Sequence, residues 1–109
     1  MHCQVVISAQ AEEDLSNIYS YVLNVLQSEI NADSVLGRLY SAMEDLEFMS
    51  ESYHLYPNEP WRSRGVRYFS VNNYSIFYVV NKVGEDEFAT VIHVIYGRRD
   101  LDKALSEGN

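Results

Sequence analysis

Two arginines at the end of an apolar run are the first candidates for chemistry in this chain. Phe88 to Asp100 reads FATVIHVIYGRRD, in which β-branched Val91, Ile92, Val94 and Ile95 dominate and Gly97 stops the run. That is the pattern of a strand buried on both faces and central to a sheet. Such a strand holds its C-terminal end rigidly, so Arg98 and Arg99 would be presented to solvent at a fixed position. His93 and Tyr96 lie in the same run and have side chains able to transfer protons. A histidine inside a buried strand equally fits a hydrogen-bonded core residue. His2 and His54 are isolated, no His/Cys/Asp spacing suggests a metal site, and no cofactor is expected.

Charge is unevenly distributed. The formal net charge of -8 argues against a simple nucleic-acid coat protein, whose binding depends on Lys and Arg releasing counterions from phosphates. Residues 1–60 carry ten acids and one base, Arg38, whereas residues 61–100 carry six bases (Arg62, Arg64, Arg67, Lys82, Arg98 and Arg99) against four acids. If the 62–67 and 98–99 segments meet in space, an acidic protein bears one local basic patch suited to an anionic partner. The alternative is that these arginines pair with acids of the first half as ordinary surface salt bridges.

The elements that must position these residues follow in order. Gln4 to Ile7 reads as a first strand, and Ser8 is a helix N-cap with Glu12, Glu13 and Asp14 favourably placed in the first turns. Leu15, Ile18, Val22, Val25 and Leu26 mark one buried helical face as far as about Gln27. A second helical period runs from about Asn31 to Met49, with Val35, Leu36, Leu39, Ala42, Met43, Leu46 and Met49 on one side, and the short polar break between the two predicts an antiparallel hairpin. Ser50 to Gly65 is a loop that Tyr56 and Trp61 would pin to the domain, and loops of this length are often functional. Val66–Val71, Tyr74–Asn81 and the closing run then form a meander, turned at Asn72-Asn73 and at Gly84 with Glu85 to Glu87.

The whole is an α+β domain of order β-α-α-β-β-β: a helical hairpin on one face of a small, mostly antiparallel sheet. The first strand is expected beside the last, Cys3–Ile7 against Ala89–Tyr96. One domain over residues 1–109 suffices, with a tail from about 101 that reaches a helical turn through Leu105. The lone Cys3 excludes an intrachain disulfide and reads as a small core residue. No apolar run approaches a membrane span and no basic, apolar leader opens the chain, so no membrane partner is expected and the cytoplasm is the expected compartment.

The order of elements and several short patterns resemble the RelE/ParE superfamily, the toxin halves of bacterial type II toxin-antitoxin modules. The opening pattern IS-x-x-A-x-x-DL-x-x-I-x-x-Y is carried by Ile7, Ser8, Ala11, Asp14, Leu15, Ile18 and Tyr21. The meander pattern is carried by Arg67, Phe69, Tyr74, Ile76, Tyr78, Ile92 and Ile95, closing on Gly97-Arg98-Arg99-Asp100. The GRRD ending looks more like the ParE branch and plasmid-stabilisation proteins than like the ribosome-dependent nucleases.

For function, the resemblance implies a toxin that inhibits DNA gyrase, arresting replication and growth without catalysing a reaction, with Arg67, Arg98, Arg99 and Asp100 on the target. It implies a cognate antitoxin, for which Leu39, Met43 and Leu46 on the second helix offer an amphipathic seat even though their stripe also reads as core. An alternative is a RelE-like endoribonuclease acting on mRNA in the ribosome through Arg67, His93, Tyr96 and Arg98. The position matching that branch's second arginine is Ser75. A third reading is an inactive module that only binds antitoxin. A homodimer and a toxin-antitoxin hetero-oligomer both remain open.

Overall fold

In the computed structural model, which describes residues 3–25, 27, 29–97 and 100–106, the Ser8 hydroxyl oxygen accepts the Ala11 N–H at 3.1 Å and starts the first helix. That helix, α1 (Ala9–Asn24), follows strand β1 (Gln4–Ile7). Ala11, Leu15, Ile18 and Val22 form its buried stripe at three- and four-residue steps. The expected face was too long. Val25 is 61% exposed because the helix ends at Asn24 and the chain turns back through Gln27 at φ 53°, while Leu26 lies outside the described residues.

The return helix is divided into α2 (Glu29–Glu44) and α3 (Leu46–Met49), not one helix from about Asn31 to Met49. The junction at Asp45 tightens to an i→i+3 bond, Phe48 N–H to Asp45 O at 3.1 Å.

The remaining strands are β2 (Arg67–Val71), β3 (Tyr74–Val83) and β4 (Asp86–Tyr96). The sheet order is β1-β4-β3-β2, with β1 parallel to β4 and the other pairs antiparallel. β1 sits beside β4 as expected, in the register Gln4 to Phe88 through Ile7 to Val91. Asn72 at φ 55° makes the first hairpin turn. The second hairpin is longer than its apolar core, because exposed Lys82, Val83 and Asp86 and half-buried Glu87 still pair across a two-residue turn at Gly84 (φ 64°). A short helix, α4 (Leu101–Ser106), ends the described chain.

Two apolar layers flank the sheet. On one face Leu15, Ile18, Leu39, Met43 and Leu46 pack against Phe69, Ile76, Tyr78, Val91 and Val94. On the other, Tyr56 and Trp61 of the 50–66 loop join Leu105 of α4 over Phe77 and Ile95. The loop reaches that second face by passing along the outer edge of β2, where Tyr56 N–H donates to Val66 O at 2.7 Å and Tyr68 N–H to His54 O at 3.2 Å.

Candidate functional site

The end of β4 is fixed from three directions. Gly97 donates its N–H to Asn73 O at 2.7 Å and takes φ 81°, a left-handed turn that disfavours side chains with a Cβ, so the strand is tied to the β2–β3 hairpin as it stops. α1 holds the strand from its side. Asp14 Oδ2 accepts the Val94 N–H at 3.0 Å and lies 3.3 Å from His93 Nδ1, while Asp14 Oδ1 accepts Gln10 Nε2 at 2.9 Å. β1 pairs with β4 only as far as Val91, and the Asp14 carboxylate supplies the partner that a continuing strand would have given to Val94. His93, 4% exposed, is a core histidine with a carboxylate partner.

The third restraint is the tail. Asp100 Oδ1 accepts the Lys103 N–H at 3.3 Å and its carbonyl accepts the Ala104 N–H at 3.1 Å, so this residue starts α4. Two residues on, Asp102 accepts the Tyr56 hydroxyl and both its oxygens accept Asn58 Nδ2, at 2.9 and 3.1 Å. Those bonds hold the Asp102 carboxyl below its ordinary range, Asn58 contributing most. Burial, and then Asp102, push the Tyr56 phenol up to about 12. Loop and tail are thus fastened to each other as well as to the sheet.

This brings the Arg62 and Arg64 segment, through Trp61, into one cluster with Ile95 and Leu105, the chain just before and just after the expected target contacts. Arg98 and Arg99 themselves lie outside the described residues. Neither Arg62 nor Arg64 forms a salt bridge among the described residues, so the alternative of pairing with helical acids has no instance there.

Arg67 is placed differently from the expectation of a target-facing cation. Its Nη1 donates to Tyr53 O at 2.6 Å, and the guanidinium also acts on the phenol of Tyr78, which burial pushes up to about 12 and which donates to Ser50 O at 2.7 Å. Tyr53 stacks on Phe69 with centroids 4.3 Å apart. Arg67 therefore fastens the start of the 50–66 loop.

The four residues of the nuclease reading do not converge among those described. Arg67 pairs with Tyr78 and Tyr96 with Tyr74, so the two backbones stand roughly 16 Å apart, four residues along and two strands across. Buried Phe69, Ile76 and Val94 fill the row between them. Ser75, at the second-arginine position, is 9% exposed. No group of three or more His, Cys, Asp or Glu suited to a metal occurs among the described residues.

The comparisons with known proteins bear on this geometry. A family model described as the ParE toxin of the type II toxin-antitoxin system parDE matches residues 5–101. The chain belongs to the ParE toxin family. Among solved structures, a chain of the chromosomal ParDE TA system from P. aeruginosa superposes with a TM-score of 0.68 at 18% identity, covering 89% of this chain and 98% of that one, a likeness of fold. No curated protein matches the sequence significantly.

For a ParE-family toxin the expected antitoxin seat needs correction. Leu39, Met43 and Leu46 are 1, 1 and 0% exposed and pack against the sheet, so they are core and present nothing to a partner. Their stripe is apolar because α2 has a sheet to cover. Two ties escaped the sequence reading. Asp14 stood in the recognised opening pattern and read only as an acid of the first helical turns, with nothing pointing it at β4. The Tyr56–Asp102 tie left no signal, since neither loop nor tail has a periodicity that points one at the other.

Proposed function

We propose that this ParE-family chain is a non-catalytic toxin that engages DNA gyrase through the end of β4 and arrests replication, and that a cognate antitoxin neutralises it. The supporting observation is the different placement of the two sets of candidate residues. Arg67 and His93, which a nuclease would need free, are bound to Tyr53 O and Asp14. The segment that closes on Gly97-Arg98-Arg99 leaves a strand end anchored by Asn73, Asp14 and the capped tail, and exposed Arg62 and Arg64 belong to the loop whose Trp61 shares an apolar cluster with Ile95. A rigid mount suits a surface that acts by docking, because little ordering entropy remains to be lost on binding. Arg98 and Arg99, which follow this strand end in the sequence, make the target contact, and Asp100 serves by starting α4.

The test is to add purified chain to gyrase, ATP and supercoiled plasmid and to score linear DNA after detergent and protease treatment. Linear product is expected with the native chain and not with Arg98→Ala/Arg99→Ala, which retains its fold by circular dichroism. No linear product from either protein would refute the proposal.

A further inference from the structure

We propose that β1 is the contact through which two copies of this chain pair, antiparallel about a two-fold axis at Val6, so that their sheets join edge to edge. β1 is an edge strand, and it is the one open stretch of the sheet without protection among the described residues. The edge of β2 is covered by the 50–66 loop, through the bridge of Leu55 to Arg67 and the bonds from Tyr56 and Tyr68. The length of β3 that runs past β2 carries Lys82, a charge of the kind that keeps strand edges apart. β1 reads Gln4-Val5-Val6-Ile7, with no charge, proline or bulge.

The ladder shows which backbone groups are open. Ser8 N–H donates to Val91 O at 2.9 Å, so by alternation Gln4 and Val6 also turn their N–H and C=O toward β4, while Val5 and Ile7 turn theirs outward. Cys3 lies on that outward side and is already met, its N–H donating to Glu47 O at 2.9 Å. The open stretch is thus bounded by α3 at one end and by the start of α1 at the other. Between them Val5 and Ile7 offer two donors and two acceptors that no described residue takes up.

A second copy fits this stretch because the pattern is its own complement. About an axis at Val6, Val5 lies opposite Ile7 of the second copy, and that pair exchanges both of its bonds on each side of the axis. Val5 and Ile7 are half-buried at the margin of the helix-side core, which their pairing extends. Val6 is 41% exposed on the other face and meets its own counterpart in the position without hydrogen bonds, where side chains approach most closely. Gln4 meets Ser8, so no like charges are opposed, although the chain carries a net charge of -8. The contact is short, and the expected dimer is transient, with a Kd on the order of 100 μM.

Sedimentation equilibrium of the whole chain from about 10 μM to about 1 mM should show a reversible dimer that strengthens with added NaCl, as screening relieves the repulsion between two acidic chains. Over the same range, amide exchange at Val5 and Ile7 should slow as the dimer forms, while Val6, bonded to β4 throughout, is unmoved. Val6→Lys and Val6→Glu should each weaken the dimer roughly tenfold with an unchanged circular dichroism spectrum. An equimolar mixture of the two should restore it, because opposite charges then face each other across the axis. A native chain still monomeric at about 1 mM, Val5 and Ile7 amides indifferent to concentration, or a mixture no more associated than its components would each overturn the assignment. Neither gyrase nor antitoxin enters these readouts, so their failure is distinct from failure of the toxin reading.

Discussion

The two faces of the sheet are closed by different means. The α1–α2 face is covered by regular helices whose apolar stripes meet Phe69, Ile76, Tyr78 and Val91 in a continuous core. The opposite face is covered by an irregular loop and a six-residue helix, through Tyr56, Trp61 and Leu105, and the cover is tied by Asp102 to Tyr56 and Asn58. A helical hairpin carries its own backbone hydrogen bonds and docks mainly by apolar contact, with Asp14 as its polar tie to β4. A loop and a short tail do not, and depend on specific polar ties to stay in place. The stabilising core and the irregular cover thus lie on opposite sides of the same strands.

Truncation should separate the faces most strongly. Leu39→Ala removes a fully buried side chain between helix and sheet and is expected to cost about 2–5 kcal/mol. It should lower the urea midpoint of the whole chain in one transition. Leu105→Ala empties an equally buried site on the other face, but its neighbours include loop and tail as well as Phe77 and Ile95, and the loop and tail can collapse onto it, so about 2 kcal/mol is expected. Hydrogen exchange should then rise in α4 and residues 55–66 before β3 and β4. Uniform loss of protection would mean that the faces are not separable.

A smaller effect distinguishes the two high tyrosines. Tyr78, on the helix face, and Tyr56, on the cover, are both pushed up to about 12, Tyr78 by burial and Tyr56 by burial and then Asp102. A raised phenol stabilises the fold fully below its unfolded value of 10.0, and that contribution is lost as pH rises through about 12. In Asp102→Asn, tyrosinate absorbance should show Tyr56 titrating lower while Tyr78 is unmoved. Parallel movement of both would disprove the separate causes.

The smallest expected effect is at low pH. Asp102 is held below its ordinary 3.8, so its contribution is complete above that value and disappears as pH falls through the lower folded one. Exchange of α4 amides should accelerate across that acid range in the native chain and show no such step in Asp102→Asn. An identical profile in both would mean that Asp102 does not hold the tail.

Much of the fold was legible because it rests on periodicity. Ser8, the α1 stripe to Val22, the Asn72-Asn73 turn and the β1–β4 pairing follow from local pattern and from the rule that a parallel strand needs a crossover. The errors fell at the ends of periods. Val25 continues the apolar spacing but lies past the turn, and the second helix reads as one run although it tightens at Asp45. The candidate site was less legible. Arg67 and His93 have the right chemistry for a site, and only their neighbours, Tyr53 O and Asp14, show that this chemistry is used inside the protein.

By itself the sequence determined the strand and helix order, the apolar faces and the family pattern, because each depends on residues close along the chain or on side-chain type. Tertiary structure alone decided which polar groups are free. A hydrogen bond between residues 79 positions apart, as in His93 to Asp14, or 46 apart, as in Tyr56 to Asp102, depends on where the folded backbone brings two side chains, and local spacing carries no record of that.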